Sequence, residues 1–214
     1  FTKYARLITV AVKEGGPDPE YNASLKTAIE KAKAMNMPND NIERAIKKGT
    51  GAGDSENFES IVYEGYGPGA MIIETLTDNK NRTAGNVRYY LDKNGGNLGT
   101  SGCVSFMFDR KGIILIKKSD DISEDSLMEV ALEAGAEDFL SEEDGFEIYT
   151  DPSSVYEVKD AIQTKGYDVL SAEVSMIPQT YTAVEGSAVK QLEKLLDMLD
   201  DDDDIQEVYT NQQV

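Results

Sequence analysis

Ser187 and Lys190 stand three residues apart, the S-x-x-K spacing in which a lysine can activate a serine hydroxyl for acyl transfer. The same serine opens a helix striped with Val189, Leu192, Leu195, Leu196 and Leu199, where serine is the ordinary N-cap. Capping is the simpler reading. Histidine is absent from all 214 residues, which removes His-based acid–base catalysis, Ser-His-Asp and Cys-His nucleophiles, and the usual zinc sites. Asp92, Asn94 and Gly96 begin like a calcium loop, but that register needs glycine at 97 and glutamate at 103, where Asn97 and Cys103 stand. The strings GTGAGD and GYGPGA match neither GxGxxG before a helix nor GxxxxGK[ST], so they read as turn and linker rather than phosphate cradles. The expectation is a chain without enzyme activity, cofactor or metal.

What remains is charge. The chain carries 21 Lys or Arg against 40 Asp or Glu, a net −19 that argues against nucleic acid until its distribution is considered. Residues 1–50 hold nine basic and six acidic side chains, leaving 12 basic and 34 acidic for the rest. Such asymmetry suggests a basic module on an acidic body.

Three helices must position those cations. The first places Tyr4, Leu7, Ile8 and Ala11 on one face and Lys3, Arg6 and Lys13 opposite. The second, from about Ser24 to Met35, packs Leu25, Ala28, Ile29 and Ala32 and exposes Lys26, Lys31 and Lys33. The third begins near Pro38, packs Ile42, Ala45 and Ile46, shows Arg44, Lys47 and Lys48, and ends at Gly49. Scattered cations are ordinary solvated surface, whereas cations aligned on one face can neutralise neighbouring phosphates and release their counterions. Arg82 and Arg88, near Tyr89 and Tyr90, extend the candidate nucleic-acid surface, since arginine and tyrosine both stack on bases. Asp200 to Asp204 reads as a solvated connection, mildly unfavourable beside a helix C-terminus.

The fold class expected is α+β. Gly49 to Asn57 is the linker candidate, closing a helical domain at about residue 55. ESIVYEGY and AMIIETLT read as strands around Gly67-Pro68-Gly69, followed by a helix from about Asn81 to Lys93 and a strand around Cys103 to Phe108. KGIILIKK, a helix from Ser123 to Ala134, a hairpin across EEDG, a helix from Pro152 to Lys165 and a strand from Tyr167 to Val174 spell βαββαβ, the split βαβ, ferredoxin-like unit. The tail supplies a short strand near Tyr181, the leucine-striped helix and the strand IQEVYT, which complete a second such unit with residues 57–110. The predicted domains are 1–55, a discontinuous 56–110 with 177–214, and an inserted 111–176.

No stretch approaches the roughly 18 apolar residues of a membrane span, and the single Cys103 fits a reducing compartment, so a cytoplasmic protein without membrane contact is expected. Phe1 in place of methionine, in a helix without a cap, suggests a preceding segment.

The run SLKTAIEKAKAMNMPNDNIERAIKKGTG closely resembles the hallmark segment of the YebC/PmpR family of probable transcriptional regulators. YEGYGPGA, TDNKNRTAGNVRYYLDKNGGNLGTSGCVSFMF and the closing helix, acidic turn and strand are also similar, so the resemblance covers essentially the whole chain. It implies three domains, one interrupting another, and a DNA-binding transcriptional regulator. The family also includes a mitochondrial translational activator of cytochrome oxidase and members proposed to act on the ribosome. The resemblance therefore leaves open ribosomal RNA or mRNA as target, with ribosomal or other basic proteins as further partners. It also implies a strongly basic preceding segment containing an H-S-K-W string.

Overall fold

A computed structural model describes residues 1–51 and 57–213. The chain divides into two compact units, Phe1–Ser105 with Tyr181–Val214, and Phe106–Thr180.

The first unit opens with three helices, α1 (Thr2–Gly15), α2 (Ala23–Ala34) and α3 (Asn39–Thr50). Their apolar stripes meet in one core of Ile8, Val12, Leu25, Ala32, Ile42 and Ala45. Buried Asn22 fixes the α1–α2 turn: its side-chain oxygen caps Leu25 N at 3.1 Å, and its amide donates to Ala11 O and Gly16 O at 2.8 Å each. Gly49 does not end α3. It lies inside the helix against α1, where an added Cβ would meet Val12 Cβ at 2.7 Å and Thr9 O at 2.9 Å, and Gly51 is the C-cap. The glycine serves close helix approach rather than termination. Residues 52–56 of the expected linker lie outside the described residues.

The same unit continues through β1 (Glu59–Tyr66), β2 (Ala70–Thr77), α4 (Lys80–Lys93) and β3 (Asn97–Leu98). After the second unit it resumes with β8 (Thr182–Ala183), α7 (Ser187–Asp200), β9 (Ile205–Thr210) and β10 (Gln212–Gln213). The sheet runs β3-β1-β2-β9, every neighbouring pair antiparallel, and β10 pairs parallel with β8. Met71 and Ile73 of β2 pack with Val87 and Leu91 of α4 and with Leu192, Leu195 and Leu199 of α7. Asn79 caps α4, accepting from Arg82 N at 3.0 Å. Ser187 is not the cap of α7: Gly186, at φ 64°, occupies that position and no side chain caps it.

Glu64 on β1 is a buried carboxylate that ties down the loop after β3. It accepts N–H bonds from Gly102, from Val104 at 3.0 Å and from Ser105 at 2.6 Å. Burial alone would raise its pKa, but these bonds hold it below the ordinary 4.5.

The second unit comprises β4 (Phe108–Lys117), α5 (Glu124–Ala134), β5 (Asp138–Ser141), β6 (Gly145–Thr150), α6 (Val155–Thr164) and β7 (Ser171–Pro178). Its sheet order β5-β6-β4-β7, fully antiparallel, is that of the ferredoxin-like unit. Ile114, Ile116, Phe146 and Ile148 project from the sheet onto Leu127, Ala131, Val158 and Ile162 of the two helices. The sequence boundaries at 110/111 and 176/177 fall inside paired strands, because Phe108 to Arg110 pair with Pro178 to Met176. Polar Asp109-Arg110 reads as a break between two strands in sequence but forms an exposed part of the start of β4. The strand expected from Tyr167 begins at Ser171 instead.

The fold is therefore α+β, three helices with two ferredoxin-like layers, one inserted in the chain between β3 and β8. The first layer reaches its arrangement by another chain order: β1 takes the place that β6, its third strand, takes in the second. No described helix is long and apolar enough to cross a membrane.

Candidate nucleic-acid interface

The eleven expected contact residues separate into two groups. Lys3, Arg6 and Arg82 are turned toward the acidic run that follows α7. Arg6 donates to Leu76 O at 2.8 Å, Asp203 O at 3.1 Å and Asp204 Oδ1 at 3.0 Å, with its guanidinium 4.5 Å from the Phe58 ring centre. Arg82 forks onto Asp204, Nε to Oδ2 at 3.0 Å and Nη2 to Oδ1 at 2.8 Å, and also reaches Asp78 at 2.6 Å. Thr83 Oγ1 adds a bond of 2.9 Å to Asp204 Oδ2. Lys3 donates to Asp200 O at 2.5 Å.

Asp204 is thus the buried centre of a cationic cage, 3% exposed. Burial raises its pKa, yet the bonds from Arg82, Arg6 and Thr83 win and hold it below 3.8. Asp202 accepts Tyr90 OH at 2.9 Å and Asn86 Nδ2 at 3.2 Å. Burial first, then that bond, pushes the Tyr90 phenol up to about 12. The acidic run is not merely a solvated connection. Two of its carboxylates hold the turn to α4, and one of them also holds α1. Arg6 and Arg82 are thus both engaged in internal charge pairing, Arg82 with its side chain 43% exposed.

The second group faces outward. Arg44, Lys47 and Lys48 are exposed on α3, Lys26 and Lys33 on α2, and Lys13 at the end of α1. Lys31 is half-buried, 3.9 Å from Glu207. Thr9 Oγ1 donates to Ala45 O at 3.1 Å, and Val12 abuts Gly49, so the C-terminal ends of α1 and α3 lie together and bring Lys13 to the end that carries Lys47 and Lys48. Cations in a last helical turn also favour the negative end of the helix dipole, which accounts for part of this placement without any ligand. Arg44 lies outside the last turn of its helix. It donates to Asp40 O at 3.2 Å and to Asn41 Oδ1, and with Lys48, Arg6 and Phe58 it lines a cleft of about 540 Å³. Arg88 lies apart from these, exposed on α4.

Ser187 and Lys190 are both exposed, and among the described residues no group of three or more His, Cys, Asp or Glu side chains is arranged to hold a metal. Asn94 closes α4, donating to Tyr90 O at 2.8 Å. Sequence reasoning missed Asp204 and Glu64, each an acidic residue whose partners lie far away in the chain. The available signal was complementarity, a basic first helix and an acidic run with no apparent task.

Comparison with known proteins places this arrangement in context. A family model described as the TACO1/YebC protein N-terminal domain matches residues 1–52, and one described as the TACO1/YebC second and third domain matches residues 58–212. A probable transcriptional regulatory protein of Clostridioides difficile strain 630 is 68% identical over 217 residues, covering 100% of this chain and 91% of that protein. One from Acetivibrio thermocellus is 56% identical, covering 99% and 88%. The crystal structure of a conserved hypothetical protein from Aquifex aeolicus superposes with a TM-score of 0.84 at 45% identity, covering 100% of this chain and 88% of that one.

Proposed function

Because this chain belongs to the TACO1/YebC family, we propose that it is a non-enzymatic, nucleic-acid-binding regulator of gene expression that engages phosphates through its helical module. The relatives' description as probable transcriptional regulatory proteins supports the regulatory part of this reading. The observation that carries the binding part is the division of labour among the cations. Lys3 and Arg6 of α1 are engaged by the acidic run, while Arg44, Lys47 and Lys48 of α3 are exposed on a helix whose apolar face is already buried. An exposed cationic helix face is the minimal device for releasing phosphate counterions.

DNA is the target we infer from the relatives' description as transcriptional regulators, whose names do not state what they bind. One observation favours RNA as a second reading. A helix reading the major groove needs polar side chains free to reach base edges, and of the two candidates on α3, Asn39 and Asn41, the latter accepts from Arg44. That leaves little for base-specific readout and suits recognition of phosphate and shape, the usual mode on structured RNA.

Arg44, Lys47 and Lys48 changed together to Glu leaves the apolar face untouched. Affinity for duplex DNA, structured RNA and ribosomes is then compared with that of the unaltered chain. We expect binding weaker by orders of magnitude with an unchanged melting curve. Undiminished binding to all three targets overturns the proposal, and loss for ribosomes alone selects the RNA reading.

A further inference from the structure

We propose that the outer face of α4, centred on Gly85, is a second nucleic-acid site that seats an unpaired RNA segment, with a base stacked on Tyr89 and its phosphates on Arg88 and Lys93. The inference rests on the reading that this protein binds nucleic acid, but it uses a different surface from α3.

Four observations carry it. Gly85 sits in the middle of a 14-residue helix, where glycine weakens the helix relative to alanine. Nothing among the described residues requires it, because a Cβ there would meet none of their atoms within 4 Å and its backbone is not in the left-handed region. Helical spacing puts Asn81, Gly85, Arg88 and Asp92 on one outward stripe, with Tyr89 and Lys93 on its flank, while Thr83, Val87 and Leu91 point into the core. Tyr89 is 52% exposed, unlike its neighbour Tyr90, whose hydroxyl is bound to Asp202.

The Tyr89 ring is held for stacking rather than left loose. Lys93 Nζ bonds its hydroxyl at 3.0 Å and lies 5.3 Å from its ring centre, and Tyr90 packs against it edge-on at 6.0 Å. A missing side chain at Gly85 lets a sugar–phosphate backbone approach the helix closely, Arg88 and Lys93 supply positive charge on either side, and Asp92 closes the stripe by repelling phosphate beyond it. A duplex hides its bases from a tyrosine ring, whereas unpaired bases, the normal state of RNA loops, offer a face to it. This favours an unpaired RNA segment over duplex DNA.

The test uses the full chain and three single variants, Gly85→Gln, Arg88→Gln and Tyr89→Ala, with fluorescence anisotropy against a labelled single-stranded RNA, the same RNA annealed to its complement, and duplex DNA. We expect single-strand affinity to fall roughly tenfold for Tyr89→Ala, with duplex affinity unchanged. Gly85→Gln should raise the melting temperature while lowering single-strand affinity, a pair of signs that a purely structural glycine would not give. Single-strand binding unchanged in all three variants, or lowered equally for duplexes, overturns the α4 proposal while the α3 variant still reports on the parent reading. An unaltered chain that binds no nucleic acid at all overturns both.

Discussion

Arg6 and Asp204 meet at 3.0 Å across 198 residues of sequence, with side chains 13% and 5% exposed, and so join the first helix to the turn before β9. Charges this far from water gain from each other only while both partners and their hydrogen bonds are present. Asp204→Asn should therefore destabilise the first unit by roughly 3 kcal/mol, because two arginines lose their shared carboxylate. Asp201→Asn and Asp203→Asn, at exposed positions of the same run, should change stability by no more than about 0.5 kcal/mol. Urea unfolding of the three variants checks the contrast; equal effects would return the run to the role of a solvated connection.

The same pair fixes a pH dependence. The folded-state pKa of Asp204 lies below its ordinary 3.8, so its contribution is fully present above that value and is lost as pH falls through the folded pKa. Stability measured from neutral pH down through the carboxylate range should fall in the unaltered protein more steeply than in Asp204→Asn. Parallel curves would show that the cage contributes no linkage.

Much of the architecture is legible in the amino-acid sequence. The helical stripes of α1 to α3 are periodic, and Ile42, Ala45 and the alternation of β4 and β6 announce buried faces because local spacing alone sets which side chains share a side. Strand limits were less legible: Asp109-Arg110 is as polar as a loop and becomes strand only because Ile177 and Met176 lie opposite. The chain order of the first layer was hidden for the same reason, since β3 has only two residues and carries no period. At the candidate site, the cations of all three helices were visible as a group. That Lys3 and Arg6 of α1 face the acidic run depends on partners about 200 positions away, which periodicity cannot supply.

Glu64 gives a second carboxylate test. Val104 and Ser105 share Oε1 while Gly102 uses Oε2, so glutamine, with one oxygen, must turn its NH2 toward one of these two sets of N–H donors, and Glu64→Gln should cost about 2 kcal/mol. Hydrogen exchange at Val104 and Ser105 should accelerate in the variant. Unchanged protection there would mean that the loop is held by something else.

Gly49 separates packing from flexibility. A Cβ 2.7 Å from that of Val12 cannot be absorbed without parting α1 from α3, so Gly49→Leu should cost about 2 kcal/mol. A linker glycine at the end of the helix would tolerate the change. Thermal melting of the variant decides between these two roles.

The segment Phe106–Thr180 holds every strand and helix of its own sheet and core, so it should fold alone. Residues 57–110 without 177–214 lack β9 and α7, which supply Leu192, Leu195, Leu199 and Ile205 to their core. The first fragment should melt cooperatively by circular dichroism and the second should not. A cooperative melt of the second would dismantle the discontinuous layer.

Salt dependence separates cations that bind from cations that build. Every lysine–phosphate pair removed should lower the slope of log affinity against log salt by roughly 0.9 on duplex DNA or about 0.7 on single strands. Lys47→Gln and Lys48→Gln, on the exposed face of α3, should each lower the slope by such a step and leave stability nearly unchanged. Arg6→Gln should do the reverse, since its guanidinium is bound to Asp204, Asp203 O and Leu76 O. It should lower the unfolding midpoint while leaving the slope where it was, provided binding is measured well below that midpoint. A lowered slope in Arg6→Gln would mean that the cage opens when nucleic acid binds, and that the acidic run competes with phosphate for the first helix.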